Sequence, residues 1–352
     1  MKAVVLKEKE LVVQEKDPPP LRDDGVLIEL IIAPILSYTD KVVDGTLAYL
    51  LPKEEFVFGS DLIGRVKAVG KNVFDLKVGT LVYACSHVSS RGNFRENDEI
   101  LIGLTGMNKN SYRIQNIWRD GAFAEIAHYP IDCITSLEEV ASMDIKKLSS
   151  IMYMAVPYGG LLSLELKPSE SLIIGGATGN FGAFGILIAL AMGASKIIPI
   201  GRNKNILESY KVLSPHRIFP IVLSGDVKSD TENMYKVTGD GLDCYLDITG
   251  GGDTSGVLSA IRALKMGGRV TLMGGLEEPI ALPYVEIMTK RLVIKGNFMY
   301  PSYAPANIVK MIQSGMINLD MIDVEIFQLQ NIQEAVKSAS TKKAFSYAAI
   351  TL

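Results

Sequence analysis

The sequence predicts an α/β protein in two parts, a β-rich, barrel-like first domain and a doubly wound parallel sheet, followed by a tail of mixed helix and strand. Three observations predict it. Short β-branched or alternating runs closed by Gly, Pro or Asp fill the first 150 residues, the usual pattern of strands and tight turns. From about 150 to 300, continuous apolar runs alternate with helical segments, as they do in a sheet covered on both faces. From 301 the rhythm changes again, to helix, strand, helix and strand.

In order, the first part offers the strand segments KAVVLK, GVLIELIIAP, LIGRVKAVG, GTLVYACS and GAFAEIAHYP. Residues 86–118, between the last two, are polar and weakly patterned and read as an excursion lobe. In the second part SLIIG leads into a helix from 180, KIIPIG into a helix from 204, RIFPIVL into a helix near 228–237, and LDCYLDI into a helix over 253–266. GRVTLMG and LVIKGN supply two more strands. The tail carries the helix NIVKMIQSGM, the strand VEIFQL, the helix IQEAVKSA and a final SYAAITL strand.

Composition narrows the function. With 352 residues, 48% hydrophobic and 21% charged, the chain is long enough for two cores. A net charge of −3 gives no electrostatic footprint for nucleic acid, and no Lys/Arg run suggests a membrane surface. Small molecules are the partners this leaves. Cys85, Cys133 and Cys244 lie far apart with no CxxC, and read as reduced thiols of an intracellular protein. The N-terminal MKAVVLKEKELVVQEK has no signal-peptide core, so a cytoplasmic location is expected. The longest apolar run, after residue 171, is broken by glycines and falls short of the roughly 20 residues of a membrane helix.

That run carries the main motif. The strand SLIIG runs into Gly176-Ala177-Thr178-Gly179-Asn180-Phe181-Gly182 and then into a helix that is apolar all round. In a strand–turn–helix context, glycines let the backbone approach a pyrophosphate, and the helix N-terminus offers it unpaired N–H groups. The next strand ends in Gly201-Arg202-Asn203-Lys204. An Asp or Glu there would hydrogen-bond the 2′-hydroxyl of NAD, whereas Gly201 leaves room for a 2′-phosphate and Arg202 can pair with it. The expected cofactor is NADP(H) in preference to NAD(H). Thr249, Gly274, Gly275 and Asn297 follow later strands of this part, at the carboxyl ends where open α/β sheets bind ligands.

The segments GVLIELIIAPILSYTD, FGSDLIGRVKAVGKNVFDLKVGTLVYA, RDGAFAEIAHYP, SLIIGGATGNFG, GLDCYLDITGG and ALKMGGRVTLMGG, in that order, resemble the medium-chain dehydrogenase/reductase superfamily over nearly the whole chain. The resemblance implies a GroES-like catalytic domain formed by 1–150 and 301–352, and a Rossmann dinucleotide-binding domain at 151–300. Zinc alcohol dehydrogenases of that superfamily place metal ligands where this chain has Ser37 and Ser60, within Gly59-Ser60-Asp61, and a third near Met154 or Ala155. Hydroxyl and thioether groups are poor zinc donors. The lobe, which holds four closely spaced Cys in those enzymes, has Cys85 alone at its start. No catalytic or structural zinc is therefore expected. His87, His128 and His216 are scattered, and His87 alone sits on the lobe that could border the cleft.

FGSDLIG looks more like the zinc-independent quinone and enone reductases of the superfamily, although their Asn-x-x-Asp is Ser37-Tyr38-Thr39-Asp40 here. The implied reaction is hydride transfer from NADPH to a quinone or α,β-unsaturated carbonyl, whose delocalised charge needs less stabilisation than an alkoxide. Tyr38 and Thr39 are the candidate proton donors, Tyr158 a weaker one, and Asp40 and Asp61 read as acceptors for backbone N–H groups. Two alternatives stand beside this: an alcohol dehydrogenase or carbonyl reductase acting on aldehydes, ketones or sugars, and a non-catalytic NADPH-binding sensor or scaffold. The resemblance also implies a homodimer or homotetramer, through a strand within 280–297 that pairs across a two-fold axis.

Overall fold

The computed structural model describes residues 1–90, 98–251 and 253–352. Its first sheet runs Ile134–Ser136, Leu81–Ala84, Leu62–Val69, Gly25–Ile35, Ser346–Thr351, Asp323–Gln328, with Ile126–Pro130 also paired to Gly25–Ile35. All of these pairs are antiparallel except the last, between the two tail strands. The tail thus supplies one edge of the sheet and the strand beside it. Along Gly25–Ile35 the residues Val26, Ile28, Leu30 and Ile32 are buried while Glu29 is exposed, an alternation that sets the register.

The second sheet is wholly parallel, in the order Ile221–Val222, Lys196–Gly201, Ser171–Gly175, Leu242–Asp247, Leu264–Leu272, Val293–Gly296. Its strand order reverses between the third and fourth of these, as in a dinucleotide-binding fold. Leu172 and Ile174 pack into the large core shared with the first sheet, while Ile173 between them enters a second core on the other face. Each such side chain contributes about 1.5–3 kcal/mol by leaving water.

Helix Ile151–Ser163 joins the two sheets, packing on helices Asn180–Ala191 and Ala304–Gln313. Pro157 lies inside it, and Gly185 of the neighbouring helix leaves the space that the proline ring fills. Tyr153 donates to the Ile35 carbonyl in the first sheet at 2.8 Å. It also stacks on Phe184 of the second part and meets Tyr347 of the tail, with centroids at 5.6 and 5.0 Å.

Three elements differ from the sequence reading. The lobe, whose residues 91–97 lie outside the described ones, holds a small sheet of His87–Ser89, Glu99–Leu101 and Thr105–Gly106. RIFPIVL shrinks to the pair Ile221–Val222 and a bridge at Ile218, because Pro220 cannot donate to the ladder. The helix expected over 253–266 spans only Ser255–Arg262, and Leu264–Leu272 is already strand. Leu264 pairs with Leu242 across a register shift, so burial overrides a helical pattern that continues past 262.

His128 in strand Ile126–Pro130 is buried against Trp118, with ring centroids 4.9 Å apart. Burial, and then the positive charge of Arg22, hold its imidazole down to about 4. The unfolded chain takes up that proton near pH ~6.5, so stability is complete above that value and declines as pH falls towards about 4. His128→Gln is expected to flatten this decline, read from urea midpoints measured across the window.

Candidate functional site

The turn after Ser171–Gly175 is built for close approach. Gly176 has φ +69°, the left-handed region that favours glycine. A Cβ on Gly182 would run into the Gly176 carbonyl and lie 2.7 Å from the Ala177 Cα. Helix Asn180–Ala191 therefore starts directly against the turn, with exposed Gly179 as its N-cap and no side chain capping it. Its first N–H groups are left for an anion. Tyr210 fixes the turn from below, donating to the Ala177 carbonyl at 2.7 Å.

The structure brings the predicted residues to this edge but changes several roles. Asn180 turns its side chain away from the turn, donating to the Ala344 and Ser346 carbonyls of the tail at 3.1 and 2.7 Å. Phe181 lies 5.2 Å from the Tyr153 ring. Thr178 places its methyl 2.8 Å from where a Cβ on Gly201 would lie, so the space beside Gly201 is partly filled. Arg202, Asn203 and Lys204 are exposed; the Asn203 side chain caps the short helix Lys204–Ser209 at the Ile206 N–H, 3.2 Å away. Arg202 sits near enough to Asp253 for its charge to help hold that carboxyl below its ordinary pKa, after the hydrogen bonds from Ser255.

The remaining strand ends converge on the same crevice. A Cβ on Gly274 would lie 2.8 Å from the Thr249 nitrogen, whereas one on Gly275 would meet nothing. Asn297 donates its N–H to the Leu272 carbonyl and its side-chain amide to the Met299 carbonyl, at 3.1 and 2.9 Å. Met299 has φ +53°, so this loop is held in a strained shape. These glycines form a cradle that side chains would fill, and a dinucleotide fits it.

In the first part, Tyr38 is half-buried and meets Tyr49 edge-on at 6.3 Å. Burial, and then Tyr49, hold its phenol well above the ordinary tyrosine pKa, so it remains a donor. Thr39 is buried. Tyr158 is also buried and accepts from the Asn307 amide at 3.2 Å, so its oxygen is engaged in tying two helices together. Asp61 is a structural acceptor, as the sequence suggests, taking the Ser86 N–H at 2.9 Å and the Tyr83 hydroxyl at 3.0 Å. Asp40 takes the Lys41 N–H at 2.9 Å.

The positions of zinc ligands hold no zinc donors. The Ser60 hydroxyl donates to the Met152 sulfur at 3.6 Å, and Met154 and Ala155 are fully buried. Among the described residues no three His, Cys, Asp or Glu come together in a metal-binding group. This donor set does not fit a zinc ion.

Sequence reasoning gave His87 no role, yet it links the lobe to the second sheet. Its Nε2 lies 3.3 Å from Glu99, and its ring meets Phe298 and Tyr300 at 6.0 and 5.9 Å. Only the loop after Val293–Gly296 could have signalled this, and its partners are not local in sequence. Asp247 was missed too, at the end of a strand whose other aspartate, Asp243, accepts from the Ser171 N–H.

Comparison with known proteins agrees with this geometry. The family model for the alcohol dehydrogenase GroES-like domain matches residues 22–139, and that for zinc-binding dehydrogenase matches 181–314. A probable D-xylulose reductase A of Aspergillus clavatus is 27% identical over 307 residues, 85% of this chain and 81% of that protein. L-arabinitol 4-dehydrogenase of Aureobasidium melanogenum is 22% identical, covering 85% and 79%. Alcohol dehydrogenase TADH from Thermus sp. ATN1 shares the fold, with a TM-score of 0.81 at 22% identity over 100% of this chain and 99% of that one. The chain belongs to the zinc-type medium-chain dehydrogenase/reductase superfamily. It is an NAD(P)-dependent oxidoreductase.

Asn180→Ala removes both bonds between the nucleotide helix and the tail and leaves two half-buried carbonyls without them. It is expected to lower stability by about 1–3 kcal/mol, measured by equilibrium urea unfolding.

Proposed function

We propose that the protein interconverts an alcohol and a ketone or aldehyde on a small hydroxylated substrate, with NADP(H) preferred over NAD(H) and without zinc. One observation supports the cofactor reading above the others: an uncapped helix N-terminus pressed against a glycine turn, at the C-terminal edge of a parallel sheet. The substrate class draws on the named activities of the relatives, a xylulose reductase and an arabinitol dehydrogenase. These favour carbonyl–alcohol exchange over reduction of a quinone or enone, which stands second, supported by the lack of zinc donors.

Bound in its reduced form, the nicotinamide supplies hydride to the carbonyl carbon. The turn at 176–182 holds the pyrophosphate, and Arg202, with no acidic residue beside it in Gly201-Arg202-Asn203-Lys204, pairs with a 2′-phosphate. Tyr38, kept protonated by burial, donates a hydrogen bond to the oxygen as charge develops there. Thr39, next in the chain, is assigned to the proton path. We assign residues 1–150 with 301–352 to the catalytic domain and 151–300 to the nucleotide domain. Three free, buried cysteines suit a reducing compartment such as the cytoplasm, and no helix among the described residues is long and apolar enough to cross a membrane.

The test is oxidation of NADPH and NADH by metal-stripped protein with ketoses, simple aldehydes, quinones and enones. Turnover of ketoses or aldehydes with NADPH is expected. Turnover confined to quinones and enones would select the second reading, and tight NADPH binding with no turnover would leave a non-catalytic binder. Arg202→Ala should raise the KM for NADPH roughly tenfold or more while moving that for NADH less than about twofold.

The sheet ends in strand Val293–Gly296, whose Val293 is exposed along with Val285 and Met288 of the preceding helix, and we propose that it pairs with a second copy. Light scattering is expected to give a dimer or tetramer mass, reduced to that of a monomer by Val285→Asp combined with Met288→Asp.

A further inference from the structure

Asp247 ends the strand next to the nucleotide turn, and its carboxylate spans both neighbouring strand ends. Oδ1 lies 3.0 Å from where a Cβ on Gly175 would be, and Oδ2 lies 3.0 Å from the same point on Gly274. Any side chain at either glycine would collide with it. Although only 3% exposed, the two oxygens are treated unequally. Oδ1 accepts from the Tyr245 hydroxyl at 2.8 Å and the Thr249 N–H at 3.3 Å. Neither of these two bonds takes Oδ2, and the Thr249 side chain also hydrogen-bonds the carboxylate.

A dinucleotide laid across this edge must cross the strand ends in spatial order. Its adenosine ribose meets Gly201 and Arg202 at the end of Lys196–Gly201. Its pyrophosphate meets the turn after Ser171–Gly175. The next strand across is Leu242–Asp247, and the next piece of the ligand is the ribose on the nicotinamide side. A carboxylate repels phosphate but suits a hydroxyl, which can donate to it or accept from its acid form. Burial, the largest influence, raises the Asp247 carboxyl above its ordinary pKa, and a hydroxyl partner tolerates either state.

We propose that Asp247 is a cofactor-binding residue, hydrogen-bonding through Oδ2 to a hydroxyl of the ribose on the nicotinamide side. The inference rests on the nucleotide reading of the turn. It adds a residue that no glycine motif identifies, and it explains why Gly175 and Gly274 flank it.

The experiment is calorimetric binding of ADP, ADP-ribose and an ADP-ribose analogue lacking the hydroxyls of its second ribose, to wild type and Asp247→Ala. If the wild-type chain prefers NADPH, the 2′-phosphorylated forms of all three are used. The variant is expected to bind ADP-ribose roughly tenfold or more weakly, and ADP and the deoxy analogue within about twofold of wild type. Equal losses on all three ligands, or a loss that persists with the deoxy analogue, would mean a purely structural role and overturn the proposal. So would unchanged ADP-ribose affinity. Asp247→Asn keeps the side-chain shape should the alanine variant fail to fold, and is expected to show the same selectivity with a smaller loss. A wild-type chain that binds neither these fragments nor a dinucleotide would refute the nucleotide reading itself, and this inference with it.

Discussion

Gly182 lies so close under the Gly176 carbonyl that no side chain fits between them, and the placement of the site follows from that contact. It sets where helix Asn180–Ala191 begins and aims its free N–H groups over the sheet edge. Asn180, at the first turn, then reaches the tail carbonyls of Ala344 and Ser346. One turn further, Phe184 receives the Tyr153 ring, whose hydroxyl is bonded to Ile35 in the first sheet. A backbone-to-backbone contact thus fixes the position of the nucleotide helix relative to both the tail and the catalytic half. A single Cβ at residue 182 would shift all three.

The first part is ordered around a buried carboxylate, Asp61. Hydrogen bonds run through Asp61, Tyr83, Ser86 and the Ser60 carbonyl, which accepts from Tyr129. Asp61 is 3% exposed, and burial, its largest influence, raises its carboxyl pKa against the hydrogen bonds that lower it. A buried carboxylate with this many donors is costly to remove and rigid in place.

How much of this was legible in the sequence varied with the range of the interactions. The strand SLIIG was readable because both of its faces are buried, which leaves an apolar run from Leu172 to Ile174. The glycine turn was readable because its conformation is local. Helix Ile332–Ala339 matches the segment IQEAVKSA read from the sequence. The limit of helix Ser255–Arg262 was not, since the pairing of Leu264 with Leu242 is a tertiary event. At the site, Gly201 was read as open space, but Thr178 fills part of it from another loop. Asn180 was read as a cofactor contact, yet its amide is taken by residues far along the chain. His87 meets Phe298 and Tyr300 only after the whole chain has folded. Residue types and turns were legible; side-chain partners distant in sequence were not.

The tail strand Ser346–Thr351 sits between Gly25–Ile35 and Asp323–Gln328, with Ala348 opposite Ile35. This has a consequence for how the chain acquires its structure. The strands of the parallel sheet are contiguous in sequence, from Ser171 to Gly296, so that sheet can close as soon as it leaves the ribosome. The first sheet cannot. During synthesis the Ala33–Ile35 end of Gly25–Ile35 waits for Ser346–Thr351, a pairing of very high sequence separation and therefore slow. The half of the protein made first is completed last, around a nucleotide half that is already standing.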